Sequence, residues 1–360
     1  MAANPQPTPR SLGYRMPAEW ERHQGTWIGW PHNRSDWPGK FDAIPWVYAD
    51  IVRHLSRVEE VNIIVRAARE RTAARNILSR SYANLKNVRF HLWPTDRGWT
   101  RDSGPIFVRR DSAPDPVALT DWRFNAWAKY PDWKNDNQLP DRIHKKLKLK
   151  KFTPVVERKG RAYQVVLEGG SIDVNGQGLM LTTEECLLSR VQQRNPGLSS
   201  EELEHVFADN LGVEKAIWLG RGIAGDDTHG HVDDIARFVS PETIVTVVEP
   251  SRADVNYEPL QENLRRLHGE TDLHGRKLQI IDLPLPRPVV FQGQRLPASY
   301  ANFYIANNLL LVPTFNDPND RLALNILAGL FPGREVVGIH CGDFIWGLGA
   351  IHCMTQQQPA

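Results

Sequence analysis

Residues 42–66 read DAIPWVYADIVRHLSRVEEVNIIVR, and the stretch changes period partway along. Through residue 58 the apolar side chains recur at helical spacing, and EVNIIVR, from Glu60, reads as a short β-branched strand. The same order repeats along the chain. A polar, alanine-rich helix over about 67–85 leads to VRFHLWP, a helix over about 199–211 to AIWL, one over about 255–267 to LQIIDL, and one over about 320–330 to EVVGI. After each strand the sequence turns to glycine, acidic residues and histidine, so polar motifs at strand ends converge on one shared site.

The motifs recur at a coarse interval. Asp102 in RDSGP and Glu168 in LEGGS are 66 residues apart (102 to 168), and His231 in GHVDD follows after 63 (168 to 231). Asn302 in YANFY comes 71 later (231 to 302) and Cys353 another 51 (302 to 353). Such spacing predicts about five supersecondary modules around a common axis, each too small to bury its own apolar face. The fold class is α/β, with a loose Pro-rich arm over 1–15, and length alone leaves one domain or two open for the rest.

Composition narrows the partners. Lys and Arg total 44 against 42 Asp and Glu, a net charge of +2, so no global field recommends nucleic acid. The one basic run, HKKLKLKK at 144–151, reads as a solvated lysine face on a half-buried strand or helix. No apolar run is long enough to span a membrane, and MAANPQPTPRSLGYR lacks the apolar core of a signal peptide. Three cysteines cannot all pair, which fits a reducing compartment. The expectation is a cytoplasmic protein without a membrane or nucleic-acid partner, leaving room for a homo-oligomer.

Four stretches carry chemistry. In DRGWTRDSGP (96–105), Asp102 beside Trp99 can face a planar cation, by carboxylate contact and by stacking, or can be an internal salt bridge with Arg101. Asp96 opens the same stretch as a further binding candidate. In LEGGSIDVNGQG (167–178), Glu168 precedes the paired glycines Gly169 and Gly170, as a second pocket acid or as the edge of a tight turn. In GDDTHGHVDDIARFV (225–239), an extended chain would put His229, His231 and Asp233 on one face. They read either as the start of an H-x-H-x-D zinc pattern, or as a general acid/base, His231, with a carboxylate, Asp233.

The fourth stretch, GLGAIHC (347–353), places Cys353 after Gly347 and Gly349. It is a buried inert thiol or a nucleophile. If a nucleophile, strand alternation points its neighbour His352 away and makes His231 its partner. Cys186 and Cys341 lie beside apolar runs and read as packing. A thiol, a histidine and several carboxylates fit a guanidinium substrate, whose N–H groups pair with Asp102 and Asp233 while its carbon stays open to attack. Cys353 would attack as thiolate, His231 would give a proton to departing ammonia, and water would then hydrolyse the amidino-thioester to a ureido product. This route needs neither metal nor other cofactor.

These residues carry a resemblance. GTWIGWPHNRSDWPG, WTRDSGP, FNAW, LEGGSIDV, TTEECLL, GHVDD, PTFNDPND, FPGREVVGI and IHCMTQQQP, in this order and across essentially the whole chain, resemble the agmatine deiminase family. That family is related to the Porphyromonas-type peptidylarginine deiminases, within the pentein superfamily. The resemblance implies a five-bladed α/β propeller with pseudo-fivefold symmetry, as a single domain over 16–360. It also implies Cys353 as nucleophile, His231 as acid/base, Asp102 with Asp233 as the guanidinium clamp, and a pocket lined by Trp99, Glu168 and Gly349. The implied reaction turns agmatine into N-carbamoylputrescine and ammonia, toward putrescine. One departure concerns the family's D-E-T-N-G-H, which here reads Asp226-Asp227-Thr228-His229-Gly230-His231. Asp227 stands, one methylene shorter, for a glutamate that faces the distal amine.

Three rivals remain on the sequence: a deiminase of free or C-terminal peptidyl arginine, a zinc hydrolase built on His229, His231 and Asp233, and a non-catalytic binder of cations.

Overall fold

A computed structural model describes residues 7–111, 114–158 and 160–360. Its described residues contain five sheets of three or four strands, and all five repeat one local order. Two strands pair antiparallel, and a crossover then brings a further strand in parallel. The pairs are Ile106–Arg109 with Val117–Thr120, then Lys150–Phe152; Asp173–Val174 with Leu179–Thr183, then Lys215–Leu219; and Ala236–Ser240 with Thr243–Val248, then Gln279–Pro284. Tyr304–Ala306 pairs with Leu309–Thr314, then Glu335–His340. In the remaining sheet the two ends of the chain meet. Thr355–Pro359 lies antiparallel to His23–Gly29, which continues in parallel to Glu60–Val65 and Val88–Leu92.

The opening stretch shows how the sequence makes these units. Ile44–Leu55 is a helix that starts with proline in its first turn and buries Ile44, Tyr48, Ile51, Val52 and Leu55, and Glu60–Val65 follows as the strand read from its β-branched residues. Fully burying such side chains is worth roughly 1.5–3 kcal/mol each, enough to fix the helix on its sheet. Ser200–Leu211 is bounded more explicitly. Ser199 and Glu202 form a reciprocal capping box, and Gly212 ends the helix at φ 70°. The basic run divides between the helix Leu139–Leu147 and the strand Lys150–Phe152, separated by Lys148 at φ 56°.

The arm expected over 1–15 is corrected for its second half; residues 1–6 lie outside the described residues. Arg10–Leu12 is a 3-10 turn, Tyr14 is buried, and Arg15 and Arg109 exchange backbone hydrogen bonds of 2.9 and 2.8 Å. No helix among the described residues is long and apolar enough to cross a membrane.

Two features of this fold position the site. First, each sheet's leading strand is preceded by a short polar turn: Asp102 before Ile106–Arg109, Glu168 before Asp173–Val174, Asp233 before Ala236–Ser240, Asn302 before Tyr304–Ala306, and Cys353 before Thr355–Pro359. Second, the leading strands or their turns reach one buried charge network around Glu19. Its Oε1 accepts from Ile305 N at 2.8 Å and lies 3.1 Å from Arg237 Nη2; its Oε2 lies 2.8 Å from His352 Nε2 and 3.2 Å from Arg101 Nη2. Arg237 also donates to Asp173 Oδ2 at 2.5 Å, and Arg101 to Gln357 Oε1 at 2.7 Å. Breaking one such buried pair typically costs about 3–5 kcal/mol, because the remaining charge is left uncompensated.

Candidate active site

The GLGAIHC stretch does not end in a strand. Residues 351–354 form a turn, and Asn302 organises it. Asn302 Oδ1 accepts from His352 N at 3.0 Å and Cys353 N at 3.4 Å, while its Nδ2 donates to Asp234 Oδ1 at 2.9 Å and to Cys353 Sγ at 3.1 Å. One amide thus holds both the backbone and the sulfur. Arg101 N donates to Cys353 O at 3.2 Å, so the turn containing Asp102 is pinned to the turn containing the thiol.

Asp233 lies beside the sulfur, and Asp102 and His231 approach Asp233 at Gly170. Cys353 Sγ is 3.7 Å from Asp233 Oδ2, which also lies 2.7 Å from His352 Nδ1. Asp102 is held at both oxygens, by Gly170 N at 3.1 Å and Trp127 Nε1 at 2.8 Å. His231 Nδ1 is 3.8 Å from Asp102 and its Nε2 3.7 Å from Glu168. Both separations exceed a hydrogen bond, so charge rather than a fixed donor holds the ring. Glycine is required at position 170. A Cβ there would lie 2.6 Å from His231 Nδ1, 2.9 Å from Asp102 Oδ1 and 3.1 Å from Asp233 Oδ2, a point at which three site groups converge. At Gly349 a Cβ would lie 2.9 Å from the Trp99 ring and 3.1 Å from Cys353 Cβ.

Burial sets the charge states. It pushes Asp102 up to about 6; His231 opposes this, and Asp233 and Glu168 add to it. It also resists charge on His231, yet Asp102, Cys186 and Glu168 outweigh it and hold the imidazolium well above its ordinary range. Burial raises Asp233 too, but His352 and then His231 bring it below the usual carboxylate value. Burial and three acids, Asp233, Asp234 and Asp102, keep the Cys353 thiol well above its ordinary range. At neutral pH, with no added cation, the site therefore holds Cys353 as a thiol and His231, between Asp102 and Glu168, as an imidazolium.

A cavity of about 370 Å³ opens onto these groups, with Trp99, Asp102, Trp127, Gly349 and Cys353 among its walls. Trp127 reaches Asp102 from an unusual backbone, with Ala126, Trp127 and Ala128 at φ 51°, 57° and 52°. Left-handed non-glycine residues carry strain that the surrounding packing must hold. His231, Asp233 and Glu168 lie behind the walls, each 1% exposed or less. The more exposed walls include Tyr130, Asp227 and Trp346. There Asp227 is contacted by Lys129 Nζ and accepts from Tyr130 OH at 2.7 Å. Arg97, stacked 4.4 Å over Tyr130, is paired with Asp36 and Asp132. Burial pushes Asp36 up to about 7, against the pull of Arg97.

The structure thus brings Cys353, His231, Asp102 and Asp233 together, puts Glu168 against His231, and sets Trp99, Gly349 and Asp227 in the cavity wall. Asp96 is corrected. It accepts from Asn135 N at 2.8 Å and Asn135 Nδ2 at 2.7 Å, fastening the 135–136 turn, and is not in the cavity wall. The common face of His229, His231 and Asp233 is also corrected. His229 sits at φ 65°, which breaks the alternation, and it turns to Ser189 at 3.2 Å and Glu185 at 3.9 Å. Cys186, read as packing, is fully buried, but its sulfur lies within 4.8 Å of ligand atoms of His231 and Glu168. Those three form the one group of metal-type donors among the described residues. The buried guanidinium of Arg194, 3.1 Å from Glu168, already supplies that carboxylate with a cation. Asn302, Trp127 and Arg97 were not singled out as site residues from sequence, although YANFY, FNAW and the stretch 96–105 contain them.

Comparison with known proteins gives matches over nearly the whole chain. A family model described as Porphyromonas-type peptidyl-arginine deiminase matches residues 15–359. The chain is 37% identical to an agmatine deiminase of Pseudomonas aeruginosa (strain LESB58), over 99% of each protein. Among solved structures it is similar to the agmatine deiminase of Enterococcus faecalis, with a TM-score of 0.88 at 32% identity over 99% of this chain and 98% of that one. It is also similar to a C. jejuni agmatine deiminase with substrate bound, with a TM-score of 0.84 at 29% identity over 96% of each.

Proposed function

The chain belongs to the Porphyromonas-type peptidyl-arginine deiminase family, and from that premise we propose that it hydrolyses agmatine to N-carbamoylputrescine and ammonia through Cys353. The observation that carries this reading is the thiol itself: Cys353 Sγ contacts Asp233 at 3.7 Å in the wall of a cavity shared with Asp102. Two buried carboxylates suit a planar cation, and a guanidinium between them would relieve the like-charge repulsion of the empty pair. The same cation favours the thiolate, with Asp233 Oδ2 the nearest acceptor for its proton and Asn302 Nδ2 donating to the sulfur.

The thiolate adds to the guanidinium carbon, forming a C–S bond. His231 then gives its proton to one amino group, the C–N bond breaks, and ammonia leaves an amidino-thioester on Cys353. Neutral His231 takes a proton from water, the resulting hydroxide adds to the same carbon, and the C–S bond breaks as the hydroxyl proton passes to solvent, releasing the ureido product while the sulfur takes back the proton held on Asp233. Glu168, held by Arg194 and kept below its ordinary range despite burial, keeps a negative charge against His231 throughout. The product is one hydrolysis short of putrescine, which suits a role in polyamine formation from arginine.

We also read the five sheets as blades of a propeller with pseudo-fivefold symmetry, in a single domain over 16–360. Support comes from their common strand order and from the contacts that elements of each make in the network around Glu19.

A second reading, deimination of free or C-terminal peptidyl arginine, is favoured by one observation: Asp227, the acid nearest the mouth for a distal ammonium, is already engaged by Lys129 and Tyr130. Ammonia and ureido product from agmatine, free arginine and a C-terminal-arginine peptide, measured with EDTA present and Cys353→Ala alongside, separate the two. Agmatine turnover that vanishes in the variant supports the first reading. Turnover of arginine alone moves the assignment to the second, and loss in EDTA overturns the metal-free route.

A further inference from the structure

Asp102 and Asp233 are held by different means. Asp102 has a fixed donor on each oxygen, from Gly170 N and Trp127 Nε1. Asp233 has one imidazole contact, His352 Nδ1 to Oδ2 at 2.7 Å, and its Oδ1 is buried without a hydrogen-bond partner. His352 is in turn held from behind. Its Nε2 lies 2.8 Å from Glu19 Oε2, its backbone N donates to Asn302 Oδ1 at 3.0 Å, and its carbonyl accepts from Arg101 Nε at 3.3 Å. Glu19 is itself anchored by Arg101, Arg237 and Ile305 N, so it cannot turn with the ring.

We propose that His352, clamped by Glu19, is a positioning residue that fixes Asp233 with Oδ2 occupied and Oδ1 free to accept a guanidinium or amidinium N–H beside Cys353. The inference rests on the reading of Asp233 as half of the cation clamp. It gives a use to a histidine that strand alternation pointed away from the site. Without the ring, Asp233 could rotate toward the sulfur or toward His231, and a misplacement of about 1 Å in a reacting constellation costs on the order of 10²-fold.

Two near-isosteres separate this role from a merely structural one. The amide nitrogen of asparagine overlays Nδ1 of histidine, and that of glutamine overlays Nε2. His352→Asn therefore keeps the donor toward Asp233, and His352→Gln keeps the one toward Glu19; the backbone bond to Asn302 survives in both. The probe is alkylation of Cys353 by a chloromethyl amidinium compared with its neutral chloromethyl amide, followed by mass spectrometry, with the thermal midpoint measured in parallel. We expect the preference for the cation to stay within about tenfold of wild type in His352→Asn and to fall about 10²-fold in His352→Gln, with kcat/KM for agmatine following the same order. Retained preference in His352→Gln, or equal losses in both variants in step with the thermal midpoint, would overturn the proposal. The alkylation ratio needs no turnover, so a wild-type protein inert toward agmatine would end the functional reading while the ratio still decided the role of His352.

Discussion

The inner end of the cavity and its mouth both contain acids beside cations, but they hold them differently. Inside, Asp102, Asp233 and Glu168 are buried, and each is fastened by a group that has a second anchor of its own: Trp127 by a strained backbone, His352 by Glu19, Arg194 by backbone carbonyls at Gln192 and Thr228. At the mouth, Asp227 meets Lys129, whose side chain is 40% exposed and free to swing into solvent. Low dielectric makes each inner interaction strong and each inner error expensive, while solvent makes the outer pairs cheap to exchange. In the proposed reaction the inner end makes the attack on a guanidine, and the mouth selects which one.

The sharpest way to break this contrast is Cys353→Ala, which should lower ammonia release by about 10³-fold or more without altering the fold, as loss of a nucleophile does. Activity above a tenth of wild type would remove the thiol from the account. Next come Asp102→Asn and Asp233→Asn, each expected to lower kcat/KM about 10²- to 10³-fold, the range for a preorganised charge aimed at the reacting group. If either variant changed KM alone and modestly, that acid would belong with the mouth.

The pH profile sharpens the same point. Asp102, pushed up to about 6 chiefly by burial, binds a proton as the pH falls through that value, and the clamp loses a charge. The acid limb of kcat/KM should therefore lie near pH 6. A cation bound between the carboxylates favours their charged forms, so the limb in kcat should move to lower pH. A kcat limb at the same or higher pH would mean that Asp102 does not face the cation. The smallest effect is expected at the mouth. Lys129→Met removes a cation that competes for Asp227, and should lower KM for agmatine by at most about fivefold with kcat unchanged, since exposed pairs are worth about 0–1 kcal/mol. A large fall in kcat would show that Lys129 reaches the chemistry.

Much of the inner end was legible because its residues stand in short polar turns between apolar strands, a contrast that survives in sequence. Cys353, Asp102, His231 and Asp233 all stand in such polar stretches, even where the sequence reads as extended chain. What failed was inference that relied on regular alternation. His229 was placed with His231, but its left-handed backbone turns it out toward Ser189, and His352 was pointed away although residues 351–354 are a turn. Asp96 misled because it shares a loop with Asp102, while Asn135, distant in sequence, claims its carboxylate. Glu19 and Arg237 carried no local signal; their meaning lies in partners from several sheets. In the fold, helices and parallel strands were readable by period, whereas pairing Thr355–Pro359 with His23–Gly29 joins the two ends of the chain and has no short-range signature.

The most direct test of the central claim is rapid quenching of the wild-type protein during agmatine turnover, followed by peptide mass spectrometry. The account predicts an amidino adduct on the peptide that carries Cys353, appearing before the ureido product and decaying with it. Steady turnover with that peptide unmodified under every quench condition, or with the adduct on Cys186, would contradict it.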